Sequence, residues 1–202
     1  MNLNEARLAE LGHLLIHEIS RKIVVVALGL SLASLVISCN QISLFKKELD
    51  HKGVKYLVES RAGLEHYVLK IEHKGPSSEN SILERDIDRK IYAAEISDLD
   101  MNGVPEVYIY GKSNDSDEYG DVFCFTLGDD GALTQIFVPT LDPYISKGYM
   151  GHDQFSVSDI FLNRKFRVSR EVSLEEVQKV KYALIKSNAG LFLNEINNGP
   201  KL

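Results

Sequence analysis

Residues 95–127 read EISDLDMNGVPEVYIYGKSNDSDEYGDVFCFTL. Two β-branched or aromatic runs, Val107–Tyr110 and Val122–Leu127, enclose Gly111–Asp121, a segment rich in Gly, Ser, Asn and Asp. This order predicts a strand, a polar turn, a second strand, an exposed loop and a third strand. We expect the functional surface in that loop. Its most prominent residues are Ser116, Asp117, Glu118 and Tyr119.

Short alternating runs separated by turn residues continue on both sides of this stretch. Val54–Glu59 and Leu64–Glu72 alternate on either side of a turn, which predicts a hairpin. One segment has two interpretations, because Ser173 and Glu176 have the spacing of a helical capping box whereas the residues from about Lys179 alternate as a strand. We adopt the strand. The pattern predicts an all-β fold, an antiparallel, sandwich-like single domain over residues 54–202.

The N-terminal residues 1–38 resemble a bacterial lipoprotein signal segment. Arg21 and Lys22 precede an apolar run, Ile23–Ile37, that is short for a spanning helix. The run ends in Val36-Ile37-Ser38-Cys39, which resembles the lipobox, whose cysteine is lipidated and becomes the mature N-terminus. A plain signal peptide or an uncleaved anchor are the alternatives. We expect a linker over residues 39–53 and a location on the periplasmic side of the cell envelope, with the outer membrane favoured over the inner.

Composition argues against nucleic acid as a partner. The net charge is -6 for the 202 residues, and the sequence pI is about 5.5. No cluster of basic residues is available to neutralise phosphates. Of the two cysteines, Cys124 lies in an apolar run and is expected to be an inert core residue if Cys39 carries lipid.

An acidic turn, Asp98–Glu106, is the motif of the chain that most suggests a site for chemistry, namely a metal site. Its candidate oxygen ligands are Asp98, Asp100, Asn102 and Glu106. Oxygen ligands at alternate positions followed by Gly103 are how a calcium loop begins, but Ile109 stands where an EF-hand needs a glutamate. We expect a structural turn without metal, in which Gly103 adopts a positive φ, and no cofactor. A different calcium loop that uses Glu106 is the alternative.

Signatures of catalysis are weak. The chain has no Gly-x-Ser-x-Gly elbow, no His-Glu-x-x-His and no phosphate loop. His152-Asp153 has the residue types of half a triad, but no other histidine has ligand spacing with it. An enzyme is therefore disfavoured.

Three stretches resemble the periplasmic inhibitors of invertebrate-type (i-type) lysozymes. They are residues 98–110 (DLDMNGVPEVYIY), the Ser116-x-x-Tyr119 loop and residues 146–157 (SKGYMGHDQFSV). The resemblance extends over roughly Val54–Ile196, and residues 148–155 are its most specific part. It implies an antiparallel β-sandwich-like inhibitor, able to form a homodimer, that inserts a Ser-Gly-x-Tyr loop into the lysozyme cleft.

Carried over to this chain, the resemblance assigns the lysozyme contacts to Ser116 and Tyr119, with Asp117 and Glu118 between them. Asp117 replaces the family's glycine, and Glu118 adds a second negative charge. Neutral hydroxyls can hydrogen-bond the two carboxylates that flank the scissile bond of a glycosidase. Without the resemblance, the loop would be interpreted as a solvated hairpin connection.

Two functional hypotheses follow. The first is an inhibitor of i-type lysozyme that protects peptidoglycan. The second is a calcium-binding or structural envelope lipoprotein without a lysozyme target.

Overall fold

The strands of this chain pair in the order in which they occur in the sequence. The structure, a computed structural model, describes residues 43–75, 80–158, 160–171, 174–188 and 190–196. All of these residues belong to one compact unit, Ile42–Leu202. Within them, twelve strands form three antiparallel sheets of four, and in every sheet each strand pairs with the next one along the chain. Short connections between sequence neighbours produce this meander.

The three sheets follow one another along the chain. The N-terminal sheet contains β1 (Ser43–His51), β2 (Val54–Ala62), β3 (Tyr67–Lys74) and β4 (Ser81–Ile87). The central sheet contains β5 (Lys90–Ser97), β6 (Glu106–Lys112), β7 (Gly120–Leu127) and β8 (Leu133–Ile136). The C-terminal sheet contains β9 (Gln154–Ser158), β10 (Phe161–Glu171), β11 (Leu174–Ser187) and β12 (Gly190–Ile196), with the order β12-β11-β10-β9.

Both faces of the central sheet are buried, and β6 shows why its sequence is a continuous apolar run. Val107 and Ile109 pack in a core shared with the N-terminal sheet. Tyr108 and Tyr110 pack in a second core shared with the C-terminal sheet. Because successive side chains of a strand point to opposite faces, a strand between two cores needs apolar residues at every position. The strand–turn–strand–loop–strand order predicted for residues 95–127 is confirmed.

The described part of the chain is all-β and sandwich-like, as the sequence predicts, although three sheets enclose two cores. The described residues form no helix. Among them, no helix is long and apolar enough to cross a membrane. The predicted signal segment, residues 1–38, and the predicted lipidation site, Cys39, lie outside the described residues.

Two expectations about element bounds were wrong. Most of the linker expected over residues 39–53 is β1, which pairs with β2 along its whole length. The alternation expected from about Lys179 begins earlier, because β11 starts at Leu174 and Glu176 pairs with Val168 of β10. In both places, pairing with a neighbouring strand decides the conformation rather than the local pattern.

Candidate binding loop and the segment that supports it

The connection between β6 and β7, residues 113–119, forms a closed loop. The Ser113 amide donates to the Tyr119 carbonyl at 2.9 Å, and the Tyr119 amide donates to Ser113 Oγ at 2.8 Å. Ser116 and Asp117 are exposed, whereas Glu118 and Tyr119 are half-buried. The four predicted site residues therefore lie together at one end of the central sheet.

One carboxylate fixes the interior of this loop. Asp115 Oδ1 accepts hydrogen bonds from the amides of Asp117 (3.1 Å) and Glu118 (3.0 Å) and from the hydroxyl of Ser113 (2.8 Å). Side-chain bonds of this kind replace the backbone bonds that a turn leaves unmade. The loop is thus held in one conformation before any partner binds.

The left-handed position of the loop is Glu118 and not Asp117. Glu118 has a φ of 47°, and Asp117 is not among the residues with a positive φ. Asp117, at the position where the resemblance expects glycine, therefore avoids the backbone strain that a left-handed conformation would impose.

Asp117 binds both hydroxyls that the resemblance assigns to the lysozyme contact. The hydroxyl of Tyr119 donates to Asp117 Oδ2 at 3.0 Å, and the hydroxyl of Ser116 donates to Asp117 Oδ1 at 3.3 Å. The hydrogen bond to Asp117 and the charge of its carboxylate raise the pKa of Tyr119. The phenol is a hydrogen-bond donor at neutral pH, and the shift extends this state to higher pH.

Glu118 forms an ion pair with Lys112, the last residue of β6. The hydrogen bond from Lys112 lowers the pKa of Glu118, so that the carboxylate is charged and locally neutralised. Within the described residues, Asp117 has no such cationic partner. An approaching acidic surface would therefore meet the charge of Asp117 without a cation beside it.

A second segment, residues 148–153, supports the loop from behind. The amide of His152 donates to the Asp117 carbonyl at 2.7 Å. On its other side, the Met150 amide donates to the Arg167 carbonyl at 2.9 Å, and the Arg167 amide donates to the Gly151 carbonyl at 3.0 Å. The segment thus connects the loop to β10 through backbone hydrogen bonds.

Gly151 is required at this junction. Its φ is 72°, and a Cβ atom there would lie 2.1 Å from the Asp117 carbonyl oxygen and 3.2 Å from Tyr119 Cδ1. Only a residue without a side chain lets the two segments approach this closely.

Aromatic rings extend the support into the core. The ring centroids of Tyr119 and Tyr149 are 5.4 Å apart, and those of Tyr149 and the buried Phe166 are 5.2 Å apart at an interplanar angle of 85°. Such tilted and edge-on pairs are favourable arrangements of aromatic rings. The ring of Tyr119 therefore packs against the ring of Tyr149, while its hydroxyl donates to Asp117 within the loop.

Arg164 and Asp153 form an ion pair beneath these rings. Arg164 Nε lies 2.7 Å from Asp153 Oδ1, and the two side chains are only 12% and 0% exposed. Asp153 Oδ2 accepts hydrogen bonds from the Gly120 amide at 2.8 Å and from the Tyr149 hydroxyl. The guanidinium carbon lies between 5.3 and 5.6 Å from the ring centroids of Phe155, Phe166 and Tyr149. Both oxygens of the buried carboxylate are thus engaged, Oδ1 by Arg164 and Oδ2 by Gly120 and Tyr149.

His152 and Asp153, which have the residue types of half a triad, contribute to the support of the loop in different ways. His152 contributes a backbone amide at a φ of 54°, while the carboxylate of Asp153 pairs with Arg164. Sequence reasoning missed Arg164, because a lone arginine in an alternating strand gives no local signal of a partner 11 residues away.

Cys124 is buried in the core, as expected, and burial raises the pKa of its thiol.

The acidic turn lies at the other end of β6. Asp98 Oδ1 and Oδ2 accept the amides of Asn102 and Gly103, each at 3.0 Å. The φ of Gly103 is 88°, which confirms the predicted positive value. The turn is therefore built by the predicted side chains in the predicted way.

Glu106, at the end of the turn and the start of β6, has a buried carboxylate. Its side chain is fully buried, and Oε2 accepts the Leu99 amide at 2.9 Å and the Tyr108 hydroxyl at 3.1 Å. Oε1 is also buried and has no hydrogen-bond partner. Burial, with a smaller contribution from the charges of Asp100 and Asp98, raises the pKa of Glu106 to about 7.

Comparisons with known proteins leave the family open. No protein-family model matches the chain, and no curated protein matches it significantly. The resemblance to inhibitors of i-type lysozymes therefore rests on the three stretches of sequence that carry it.

Proposed function

We propose that this domain inhibits i-type lysozyme by placing the loop that presents Ser116 and Tyr119 in the active-site cleft of the enzyme. The observation that carries the proposal is the contact between two of the stretches that resemble the inhibitor family. The His152 amide donates to the Asp117 carbonyl at 2.7 Å, and the ring of Tyr149 packs on that of Tyr119. Two segments about 30 residues apart in sequence thus form one structural unit.

The chemistry of the loop suits a glycosidase cleft. Such a cleft presents two carboxyl groups about 5 to 9.5 Å apart on either side of the scissile bond. Hydroxyl groups are donors without charge, so they can hydrogen-bond these carboxyl groups with little loss of hydration energy. Tyr119 adds a rigid ring with one polar end, a frequent property of residues that dominate binding energy at interfaces.

The rigidity of the loop also favours binding. Asp115 closes its interior, and residues 148–153 support it from behind. A loop that is already ordered loses little conformational entropy when it binds. A small exposed loop can therefore contribute an affinity that a flexible connection of equal length would not reach.

Asp117 is the residue that works against this function. Its carboxylate repels the acidic groups of a glycosidase cleft and occupies the hydroxyls of Ser116 and Tyr119. Glu118 matters less, because Lys112 balances its charge. We therefore expect a weaker inhibitor than one with glycine at position 117.

The alternative, a calcium-binding envelope protein without a lysozyme target, is favoured by the proximity of Asp98, Asp100 and Glu106. This alternative uses none of the loop residues. Calcium binding and inhibition can therefore occur in the same chain.

The proposed location is the cell envelope, with a lipid on Cys39. The basic pair, the apolar run and the Val-Ile-Ser-Cys order support this location. A Cys39→Ser precursor should then lose acyl labelling and membrane partitioning. If that variant is still labelled and membrane-bound, the lipoprotein assignment is wrong.

The function is tested with the purified full chain in assays of peptidoglycan lysis by i-, c- and g-type lysozymes. We expect inhibition of an i-type enzyme at lower concentrations than of the other two classes. Because the loop would occupy the cleft, inhibition should be competitive with soluble peptidoglycan fragments. Absence of inhibition of all three classes would contradict the function, and inhibition insensitive to such fragments would contradict cleft binding.

A further inference from the structure

The acidic turn and the first residue of β6 bring three carboxylates together. One oxygen from each of Asp98, Asp100 and Glu106 lies within 4.8 Å of one oxygen from each of the other two. Two oxygens that bind the same calcium ion, each at 2.3 to 2.6 Å, lie at most about 5 Å apart. The carboxylates are therefore already spaced for one shared ion.

We propose that Asp98, Asp100 and the buried Glu106 bind a calcium ion at the start of β6. Proximity of acidic groups is common on protein surfaces and would not carry this proposal alone. The second observation is the side chain of Glu106, which is 0% exposed and has one oxygen, Oε1, without a hydrogen-bond partner. A buried carboxylate oxygen without a partner is costly, and a cation between the three carboxylates would satisfy it.

No basic side chain in the described part of the chain takes this role. None of the ion pairs found there includes Asp98, Asp100 or Glu106. Without a counterion, the charges of Asp98 and Asp100 therefore repel the charge of Glu106 whenever that side chain is ionised. A divalent cation removes that repulsion.

The oxygens of the turn remain able to bind a cation. Asp98 and Asp100 accept amide hydrogen bonds, and each carboxylate oxygen has a second lone pair. The hydrogen bonds also hold the two side chains in place. Asn102 Oδ1, which accepts the Val104 amide at 2.7 Å, offers a fourth oxygen at the next alternate position.

The donor set selects a hard cation. Every candidate ligand is an oxygen, and no cysteine or histidine belongs to the cluster. Oxygen ligands suit calcium better than zinc, and magnesium requires a stricter octahedral geometry. The site differs from an EF-hand. The position of the EF-hand glutamate is Ile109, which is fully buried in the core shared with the N-terminal sheet, and Glu106 would be the last ligand in the sequence.

The ion would act on stability rather than on recognition. The turn precedes β6 and the candidate binding loop follows it, so the strand's seven residues, about 20 Å in length, separate the two sites. Calcium would fix the partly exposed connection between β5 and β6 of the central sheet. The inference is thus independent of lysozyme inhibition.

Calcium binding is tested on the full chain after treatment with EDTA. The measurements are the melting temperature and the luminescence of terbium sensitised by tyrosine, since the Tyr108 hydroxyl donates to Glu106. We expect a Kd for calcium of about 10⁻⁴ to 10⁻³ M and a rise in melting temperature of about 3–6 °C at ten times that concentration. Magnesium should raise it less. No response to 10 mM calcium, or an equal response to magnesium, would overturn the assignment.

Variants locate the ion. Glu106→Gln keeps the size of the side chain and an acceptor for Leu99 and Tyr108, and should weaken calcium binding at least tenfold. If this buried variant does not fold, Asp100→Asn in the partly exposed turn provides the same test. Asp129→Asn, which changes the charge equally in the β7–β8 turn, is the matched control and should bind calcium like the wild type. A calcium response that persists in the folded Glu106 and Asp100 variants would overturn the site.

Discussion

The carboxylate of Asp117 accepts the hydroxyl of Tyr119 at 3.0 Å within the same exposed loop. The Ser116 hydroxyl donates to the other oxygen of this carboxylate. The two donors proposed to contact a lysozyme are therefore engaged by Asp117, where the inhibitors that the chain resembles have glycine. Binding must break or rearrange these two hydrogen bonds, which sets the first prediction.

Asp117→Gly should strengthen inhibition of i-type lysozyme by about tenfold, because it removes one repulsive charge and releases two hydroxyl donors. The inhibition constant measures the effect. Asp117→Asn separates the two causes, since it removes the charge and keeps an acceptor for the hydroxyls. Asp129→Gly, in the β7–β8 turn, is the control for net charge. Weaker inhibition by a folded Asp117→Gly variant would show that the carboxylate contributes to binding.

Gly151→Ala should both destabilise the domain and weaken inhibition. A methyl group at Gly151 would lie 2.1 Å from the Asp117 carbonyl oxygen, so the supporting segment and the loop must move apart. We expect a loss of about 3 kcal/mol in the free energy of unfolding, from backbone strain and overlap together.

Gly131→Ala is the matched control for Gly151→Ala. Gly131 has a similar φ of 76°, but nothing lies within 4 Å of the added methyl group. It should cost about 1 kcal/mol, the strain alone, and leave inhibition unchanged. Equal effects of the two substitutions on both measurements would show that the contact between segment and loop is unimportant.

Stability should fall as the pH decreases below 6.5, in part because of His73. Burial lowers the pKa of His73 from its ordinary value of 6.5. Below pH 6.5 the unfolded chain binds a proton that the folded chain does not, so the unfolded state gains stability until the pH reaches the lowered pKa. Above pH 6.5 both states are neutral at this residue and the effect is absent.

The free energy of unfolding, measured in urea between pH 7.5 and 5.5, tests this effect. His73→Gln should lose less stability across that range than the wild type, because it cannot take up the proton. The control is His66→Gln at an exposed histidine, which should behave like the wild type. The same pH dependence in wild type and His73→Gln would rule out a contribution from His73.

The sequence was sufficient to predict the central strands. Val107–Tyr110 is apolar at every position because its side chains enter two cores in turn. The loop after β6 was predicted from its polar and small residues, and the positive φ of Gly103 from its place in the turn. These features depend on residues close together in the chain.

The sequence did not predict the contacts between residues that are far apart in the chain. β1 reads SLFKKELDH, in which Leu49 is the only buried residue, and it is a strand because β2 pairs with it. Nothing local indicates that Arg164 neutralises Asp153, or that His152 supports Asp117. The spacing in the sequence predicted, as an alternative, that Glu106 could join Asp98 and Asp100 in a calcium loop. It did not predict that the side chain of Glu106 is buried.

The most direct test of the proposed function is the inhibition constant of a Ser116→Ala, Tyr119→Ala double variant against an i-type lysozyme. We expect inhibition to weaken at least about 100-fold, because both donors and the ring proposed to contact the cleft are removed. The fold should persist, since the loop contributes little to either core. Tyr144→Ala combined with Ser146→Ala removes the same residue types elsewhere and should inhibit like the wild type. An unchanged inhibition constant in the folded Ser116→Ala, Tyr119→Ala variant would contradict the role of this loop.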